Sequence, residues 1–473
     1  MSSSILEEVI CIGETGEYIN GIGFKESDWD GFGLPIIRIQ NLTNEEKPFN
    51  FTSRDVEDKY HIKNGDILVS WSATLGAFIW RRGPALLNQH IFKVVPRSEI
   101  VRPKFLYYQL KYIIDSMSRS EHAHGSTMKH INRKPFLAHP FWRPSLEHQE
   151  TVGQMLDKLF SDLDEAERTL QKIQDKLKQA RASILKAAVE GRLVETEAEI
   201  AKARASQLIS ASELLAEICP THVRSGTEKR QMKLKMDYAG LCEPQEVDGI
   251  SLPNTPEGWA WAFIGSIAST VRNGYSGKPS DHGPVKILRI SAVRAMSVNT
   301  ADTRSLPGHI SDYENAVARK GCLLITRYNG NPDLVGVMGH YLSKDLVVHP
   351  DKLIRVELVS EKIRPEWIEI AFNTGFTRSL LRKRVRTTAG QAGISGQDIK
   401  AMPIPIPPTE EQIRITREVN RRLSVLDQVE STVQASLARC GLLRQAILKR
   451  AFEGRLVPAP PEPTTPDHAQ LSP

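Results

Sequence analysis

The 473 residues are poor in the groups that chemistry at a fixed centre needs. Five cysteines, Cys11, Cys219, Cys242, Cys322 and Cys440, are scattered without a C-x-x-C pair, so no spacing supports a zinc site or a disulfide framework; free buried thiols are expected. His122, His124 and His130 cluster loosely, with no H-x-x-x-H to set two imidazoles on one helix face. No run of about 18 apolar residues could span a bilayer. The start MSSSILEEVICIGE lacks the basic flank and apolar core of a signal peptide, and a cytoplasmic address is expected. RYNGNPDL places one proline after Asn331, where the N/D-P-P-Y/F motif of adenine methyltransferases needs two, and no glycine-rich cofactor loop precedes it. NGYSGKPS lacks the spacing with which a P-loop wraps phosphate. Neither Pro332-Asp333 nor Pro350-Asp351 is followed at a suitable distance by the E-x-K of a metal nuclease. The expectation is therefore a protein with no catalytic residues, no cofactor-binding residues and no metal ligands of its own.

What is present is a repeat. Residues 184–194, ILKAAVEGRLV, return as ILKRAFEGRLV at 447–457, and a shift of 263 aligns residues 139–194 with 402–457 without a gap, 20 of 56 pairs being identical. Looser echoes lie upstream: NG at Asn20 and Asn273, IRI at Ile37 and LRI at Leu288, KNGDILVS at Lys63 and RKGCLLIT at Arg319, VRPKFL at Val101 and IRPEWI at Ile363. Their offset drifts between 251 and 263, so loop lengths differ. One unit is used twice, each time a variable part followed by a part of fixed length.

Periodicity identifies the fixed part. Val152, Leu156, Leu159, Leu163, Ala166, Leu170, Ile173, Leu177, Ala180, Ile184 and Ala187 step by four and three, which is a coiled-coil seam. The second copy keeps Ile415, Val419, Leu426, Val429, Val433, Cys440, Leu443 and Ile447 in register but puts Arg422, Ser436 and Arg450 at seam positions, with Leu423 and Leu437 one step off as substitutes. HPFWRP and MPIPIPP lead into the helices as extended chain, and Gly191 and Gly454 end them as left-handed caps. About 38 residues at about 1.5 Å each predict a rod of about 57 Å. Two such helices pair most simply with each other: antiparallel pairing would relate the halves by a pseudo-twofold axis, parallel pairing would bring the globular parts together. The repeated ending is a candidate docking point of each helix on the other half's globular part.

The variable parts read as mixed α/β, from short β-branched runs such as LPIIRIQNL, GDILVSW, KILRISAV and GCLLIT bounded by Gly, Pro, Asn or Asp. The predicted organisation is a globular domain over 1–138, a helix over 139–194, a helical and polar linker over 195–256 with a weakly ordered centre, a second globular domain over 257–401, a second helix over 402–457 and a disordered proline-rich tail over 458–473.

Charge points to the partner. The formal net charge is +6, and its distribution is uneven: residues 258–400 hold 20 Lys or Arg against 12 Asp or Glu, whereas residues 1–138 hold 17 against 16. Arg reads guanine and Asn or Gln reads adenine in the major groove, while basic residues anchor phosphate. Arg38, Gln40 and Asn41, then Arg327, Tyr328 and Asn329, then Arg382, Lys383, Arg384 and Arg386 are the candidate duplex-DNA contacts. The rival is a coiled-coil scaffold joining proteins without DNA, which explains the helices but not two diverged globular parts.

The doubled plan, with PIPPTEEQ, LRQAILKRAFEGRLV and TPEGWAW, resembles the specificity (S) subunit of type I restriction–modification enzymes over nearly the whole chain. The first half departs from the pattern in having no LPEGW-like start, and its helix ends AAVEG where the second has RAFEG. The resemblance implies two target recognition domains, each reading half of a split, asymmetric DNA site, and antiparallel helices acting as a ruler between the halves. It also implies docking places for two modification subunits, which carry S-adenosylmethionine and methylate adenine, and restriction subunits that use ATP and Mg. By that reading the chain is a non-catalytic recognition subunit.

Overall fold

The computed structural model describes residues 8–119, 129–130, 132–224, 244, 246–388 and 390–457. The predicted linker centre, the proline-rich tail, His122 and His124 lie outside the described residues. Two compact units form, one from residues 1–173 with 432–473 and one from residues 174–431. Helices of eight residues or more are α1 (Pro103–Arg119), α2 (Leu146–Val189), α3 (Glu197–Arg204), α4 (Ala211–Arg224), α5 (Pro365–Asn373), α6 (Gly375–Arg384) and α7 (Thr409–Phe452). No described helix is long and apolar enough to cross a membrane.

The β-branched runs become strands with the same topology in each unit. In the first, β1 (Gly16–Asn20), β2 (Ile67–Ser70), β3 (Gly76–Ile79) and β4 (Ile91–Pro96) form an antiparallel sheet in the order β1-β4-β2-β3. In the second, β5 (Ala268–Asn273), β6 (Leu323–Thr326), β7 (Met338–His340) and β8 (Leu353–Leu358) give β5-β8-β6-β7, likewise antiparallel. A further four-stranded sheet in each unit is built on one parallel pairing, Ile36 and Ile37 beside Leu86 and Leu87 in the first and Ile287 beside Val348 in the second. The proline-rich lead-ins are strands: Pro140–Arg143 pairs with Glu8–Cys11, and Pro403–Ile406 with Ala260–Phe263. Proline fits such two-stranded pairings because it need not donate on both sides.

The two long helices, α2 and α7, each have 44 residues, about six more than periodicity alone suggests, because the first turns after the proline-rich strands are already helical. Their bounds differ by the repeat shift of 263 at both ends. One buried glutamine sits at the same place near the start of each. Gln149 accepts from Arg102 N at 2.8 Å and donates to Pro144 O at 2.9 Å, while Gln412 accepts from Arg364 N at 2.8 Å and donates to Pro407 O at 2.8 Å. Each glutamine fastens the preceding loop of its own domain to its helix.

Within each unit the start of one long helix runs antiparallel to the end of the other. In the first unit Arg444 binds Asp164 and Glu167, and in the second Arg181 binds Asp427 at 2.6 Å and Glu430 at 3.1 Å. These six residues are three equivalent pairs under the shift of 263. The seam of α7 differs from the strict heptad: Leu423, at 8% exposure, takes the place offered by Arg422, and Val429 and Leu443 lie outside at 39% and 43%. An arginine in the seam would strand its charge, so the helix turns its neighbouring leucine inward instead.

The repeated ending is where each helix docks. Leu448 and Ala451, with half-buried Ile447, Phe452, Leu456 and Val457, join the first domain's core with Val101, Phe105 and Phe141. Ala188 and Leu193, with half-buried Ile184, Leu185 and Val194, join the second domain's core with Trp259, Ile363 and Trp367. Each fully buried leucine contributes about 1.5–3 kcal/mol. Both helices end in a Schellman cap: Gly191 has φ 65° and Gly454 φ 68°, with Arg192 N donating to Ala187 O and Arg455 N to Arg450 O. The second unit also packs α4 on this core through Leu214, Leu215 and Ile218. Of the cysteines, Cys322 and Cys440 are buried as expected, but Cys11 is exposed because it lies on a two-stranded edge; burial pushes the Cys322 thiol up to about 12.

Candidate nucleic-acid interface

Two of the basic motifs meet in the second domain. Tyr328–Asn329 pairs with Gln391–Gly393, which pairs in turn with Arg386–Thr388, so RYNGN and the end of RKRVR share one three-stranded sheet. Tyr328, Gly393 and Arg386 stand in one row, and residues opposite each other on antiparallel strands point to the same face. A side chain at Gly393 would meet the Tyr328 ring at 2.3 Å, so the glycine makes room for the ring to lie across the strand. The next row is Asn329, Ala392 and Thr387, in which Ala392 is 1% exposed, Asn329 half-buried and Thr387 exposed. The Arg327 guanidinium lies 4.6 Å from the Tyr328 ring centre and donates to Asp351 O at 3.3 Å. Arg327 thus lies over the Tyr328 ring, and exposed Arg386 stands in the tyrosine's row on the strand beyond Gly393.

The remaining residues of that cluster divide by partner. Arg382 is held by Asp333 at 3.0 Å, and Arg378 donates to the Val335 and Asp333 carbonyls at 2.8 and 2.7 Å. Arg384 is turned inward: its side chain is 14% exposed, and it pairs with Asp248 at 2.7 Å. Lys383 and Arg386 are exposed and form no ion pair among the described residues. Asn329 accepts from Asn331 N at 2.9 Å and Asn331 from Asp333 N at 3.0 Å, which orders the turn after the strand.

In the first domain RIQN begins a short helix, Ile39–Thr43. Arg38 lies 5.6 Å from the Trp29 ring centre, and Gln40 is half-buried. Asn41 is 2% exposed, and its amide donates to Lys47 O at 3.1 Å and Pro48 O at 3.2 Å while its oxygen accepts from Arg38 N at 3.0 Å. With both ends of its amide used inside the fold, Asn41 shapes the turn that carries Arg38 and Gln40.

The first domain's counterpart of the small sheet is one that composition does not point to. Ser72–Ala73 pairs with Lys129–His130, and Trp71, in the place of Arg327, stacks on Phe92 with centroids 5.9 Å apart and donates to Asn20 at 3.3 Å. The signal is in the repeat: carried four residues past KNGDILVS and RKGCLLIT, it sets Trp71–Thr74 against Arg327–Gly330. Among the described residues, no group of three or more His, Cys, Asp or Glu is placed to hold a metal ion.

The comparisons agree with this architecture. Residues 6–175 match the family model of the type I restriction modification DNA specificity domain. The chain is 28% identical to the type I restriction enzyme EcoKI specificity subunit of Escherichia coli (strain K12) over 94% of this chain and 86% of that one. Over nearly its whole length the chain is similar to type I restriction enzyme specificity subunits, and its first domain with the start of α2 matches their DNA specificity domain. Among other relatives, the type I restriction enzyme EcoBI specificity subunit of Escherichia coli is 23% identical over 94% of this chain and 85% of its own, and the StySPI specificity subunit of Salmonella potsdam 24% over 89% and 82%. A chain from a solved structure concerned with complex assembly of the type I R-M system shares the fold, with TM-score 0.62 at 15% identity over 95% of this chain and 98% of that one.

Proposed function

We propose that the two domains read the two unlike halves of a split duplex-DNA site, and that α2 and α7 set the number of base pairs between them. The observation that supports this is a pair of domains alike in strand order and unlike on the small sheet: Trp71, Ser72 and Ala73 stand in one where Arg327, Tyr328 and Asn329 stand in the other. A common scaffold with different outward side chains suits two different half-sites. Arg327, Tyr328, Lys383 and Arg386 are the proposed contacts in the second domain, with Arg382 beside them, and Arg38 and Gln40 in the first; Arg384, Asn329 and Asn41 support the surface from within. Arg386 and Lys383, free of ion pairs among the described residues, are the groups suited to phosphate or to guanine.

The chain would direct adenine methylation by two modification subunits, which bring S-adenosylmethionine, and cleavage by restriction subunits, which bring ATP and Mg. A genome-wide map of N6-methyladenine, with the gene intact and deleted, tests the reading. Loss of one split, asymmetric methylated motif is expected. An unchanged map in cells that express the protein and its modification subunit would overturn it.

A further inference from the structure

The two units differ in how their central sheet turns back. In the first, residues 71–75 join β2 to β3, and the turn closes on itself with Ser70 Oγ donating to Thr74 O. In the second, residues 327–337 join β6 to β7. This longer connection carries Arg327 and Tyr328, then an exposed stretch over residues 330–333, before Val335 returns to the core at 0% exposure. Ordering an exposed stretch costs backbone entropy and gains no apolar burial. Polar contacts have to fix it instead, and they come from α5 and α6.

Arg378, half-buried on α6, donates from its two terminal nitrogens to Val335 O at 2.8 Å and to Asp333 O at 2.7 Å. Four residues on, and so on the same helix face, Arg382 binds the Asp333 carboxylate at 3.0 Å. Asp333 is thus gripped by its backbone and by its side chain. The grip passes back along the chain, because Asn331 accepts from Asp333 N at 3.0 Å and Asn329 from Asn331 N at 2.9 Å, which leads to Tyr328. Beyond the turn a side chain at Gly336 would meet Leu381 at 2.2 Å, so the glycine lets the chain lie on the same helix. β7 is an edge strand, and α5 satisfies its outer edge. Asn373 accepts from Met338 N at 2.9 Å and donates to Met338 O at 2.8 Å, and Glu369 accepts from His340 N at 2.7 Å. Arg378 is the central member of this set: a charged fork across two carbonyls fixes the pitch of the turn between them.

We infer that Arg378 is a positioning residue for base reading by the second domain: by holding residues 329–335 it sets the direction in which Arg327 and Tyr328 meet the DNA. The inference rests on the proposed reading of one half-site by this domain, and adds to it a residue that acts through the turn and not on the DNA.

The test uses the full chain with its modification subunit and measures kcat/KM for methylation of duplexes that carry the recognised site or one changed base in either half. Tyr328→Ala marks the half read by the second domain. Arg378→Ala is expected to lower discrimination against changed bases in that half by about tenfold, the order of one lost base-reading contact, and to leave discrimination in the other half as it was. Arg378→Lys, which keeps a charged donor without the fork, is expected to recover part of the loss. Hydrogen exchange over residues 329–335 should quicken in the alanine variant while peptides of the first domain exchange as before. A purely structural role would lower turnover on intact and changed sites alike. Discrimination that is unchanged in the marked half, or lost equally in both halves, would therefore overturn the positioning role and leave the half-site reading standing. If Tyr328→Ala alters neither half, the proposed contacts fall and this inference falls with them.

Discussion

The ion-pair triads between the long helices should hold their register, and Arg444 offers the stronger case. Its side chain is 24% exposed, it meets both Asp164 and Glu167, and its guanidinium lies 5.6 Å from the Phe160 ring centre. An exposed ion pair contributes about 0.2–1 kcal/mol, and a cation over an exposed ring about 0.5–1 kcal/mol. Two carboxylates on one three-quarters-buried guanidinium therefore predict a coupling of about 1–2 kcal/mol between Arg444 and its acids. Arg181, at 36% exposure with acids at 61% and 47%, should couple more weakly, at about 0.5–1 kcal/mol. A double-mutant cycle isolates the term: Arg444→Ala, the pair Asp164→Ala with Glu167→Ala, and all three together, read by hydrogen exchange of the peptides around residues 164 and 444. Local opening is the right observable, because a chain of two units need not unfold in one step. Coupling below about 0.3 kcal/mol, within the scatter of additive sites, or a larger value at Arg181 than at Arg444, would refute the reasoning that burial sets the strength of these pairs.

Asn41→Ala should destabilise the first domain by about 1–3 kcal/mol, since it unpairs buried groups, and leave the recognised sequence unchanged; thermal melting with methylation mapping checks both halves of that statement. Neutralising Lys383 or Arg386 should reduce the slope of log affinity against log salt by about 0.9 for a phosphate contact, or change the methylated motif for a base contact. Burial pushes the Glu369 carboxyl up to about 7, so the folded state keeps a proton that the unfolded state has released. Its contribution to stability is present below the unfolded value near 4.3 and falls as pH rises to about 7. Glu369→Gln, which still accepts from His340 N, should remove that fall in denaturation midpoints measured across the window. Inserting about four residues at matched places in α2 and α7 adds about 6 Å to each helix, and the methylated half-sites should stay while the gap between them grows by one to two base pairs at about 3.4 Å each; an unchanged gap would sink the ruler.

The repeat made most of the fold legible from sequence: the helix pair, both caps and both docking endings follow from a shift of 263 and a heptad count. The interface was less so, for physical reasons. Arg384 and Arg386 are two residues apart in one basic run, yet one is the last residue of a helix and folds back onto Asp248 while the other opens a strand and faces outward. Composition cannot separate them, because the turn at Val385 decides their direction. Asn41 looks like a base reader by residue type and is instead a turn's internal partner. Tyr328 is placed by Gly393, 65 residues on, a pairing no local pattern announces.

The identities shared by the repeated helices can be sorted by what each does in the fold. Gln149 and Gln412 fasten loops; Asp164, Glu167 and Arg181 with Asp427, Glu430 and Arg444 pair the helices; Ile184, Leu185 and Ala188 with Ile447, Leu448 and Ala451 dock; Gly191 and Gly454 cap. The exposed identities are Ser161, Thr169 and Gln171 with Ser424, Thr432 and Gln434 along the rods, and Lys186, Glu190 and Arg192 with Lys449, Glu453 and Arg455 at the ends, the last six joined by local ion pairs. Local pairs of that kind contribute a few tenths of a kcal/mol, and many other charges could replace them on a solvated helix end. Folding therefore accounts directly for the buried identities, while the charged helix ends are held by local pairs alone. Lys186, Glu190 and Arg192 with their counterparts lie on the stretch where the copies agree best, while the small sheets differ. The copies are thus alike at the helix ends, EGRLV in both, and unlike on the small sheets, where Trp71 stands against Arg327, so the difference between the domains is concentrated on their outward loops and strands and spared where each helix enters a core.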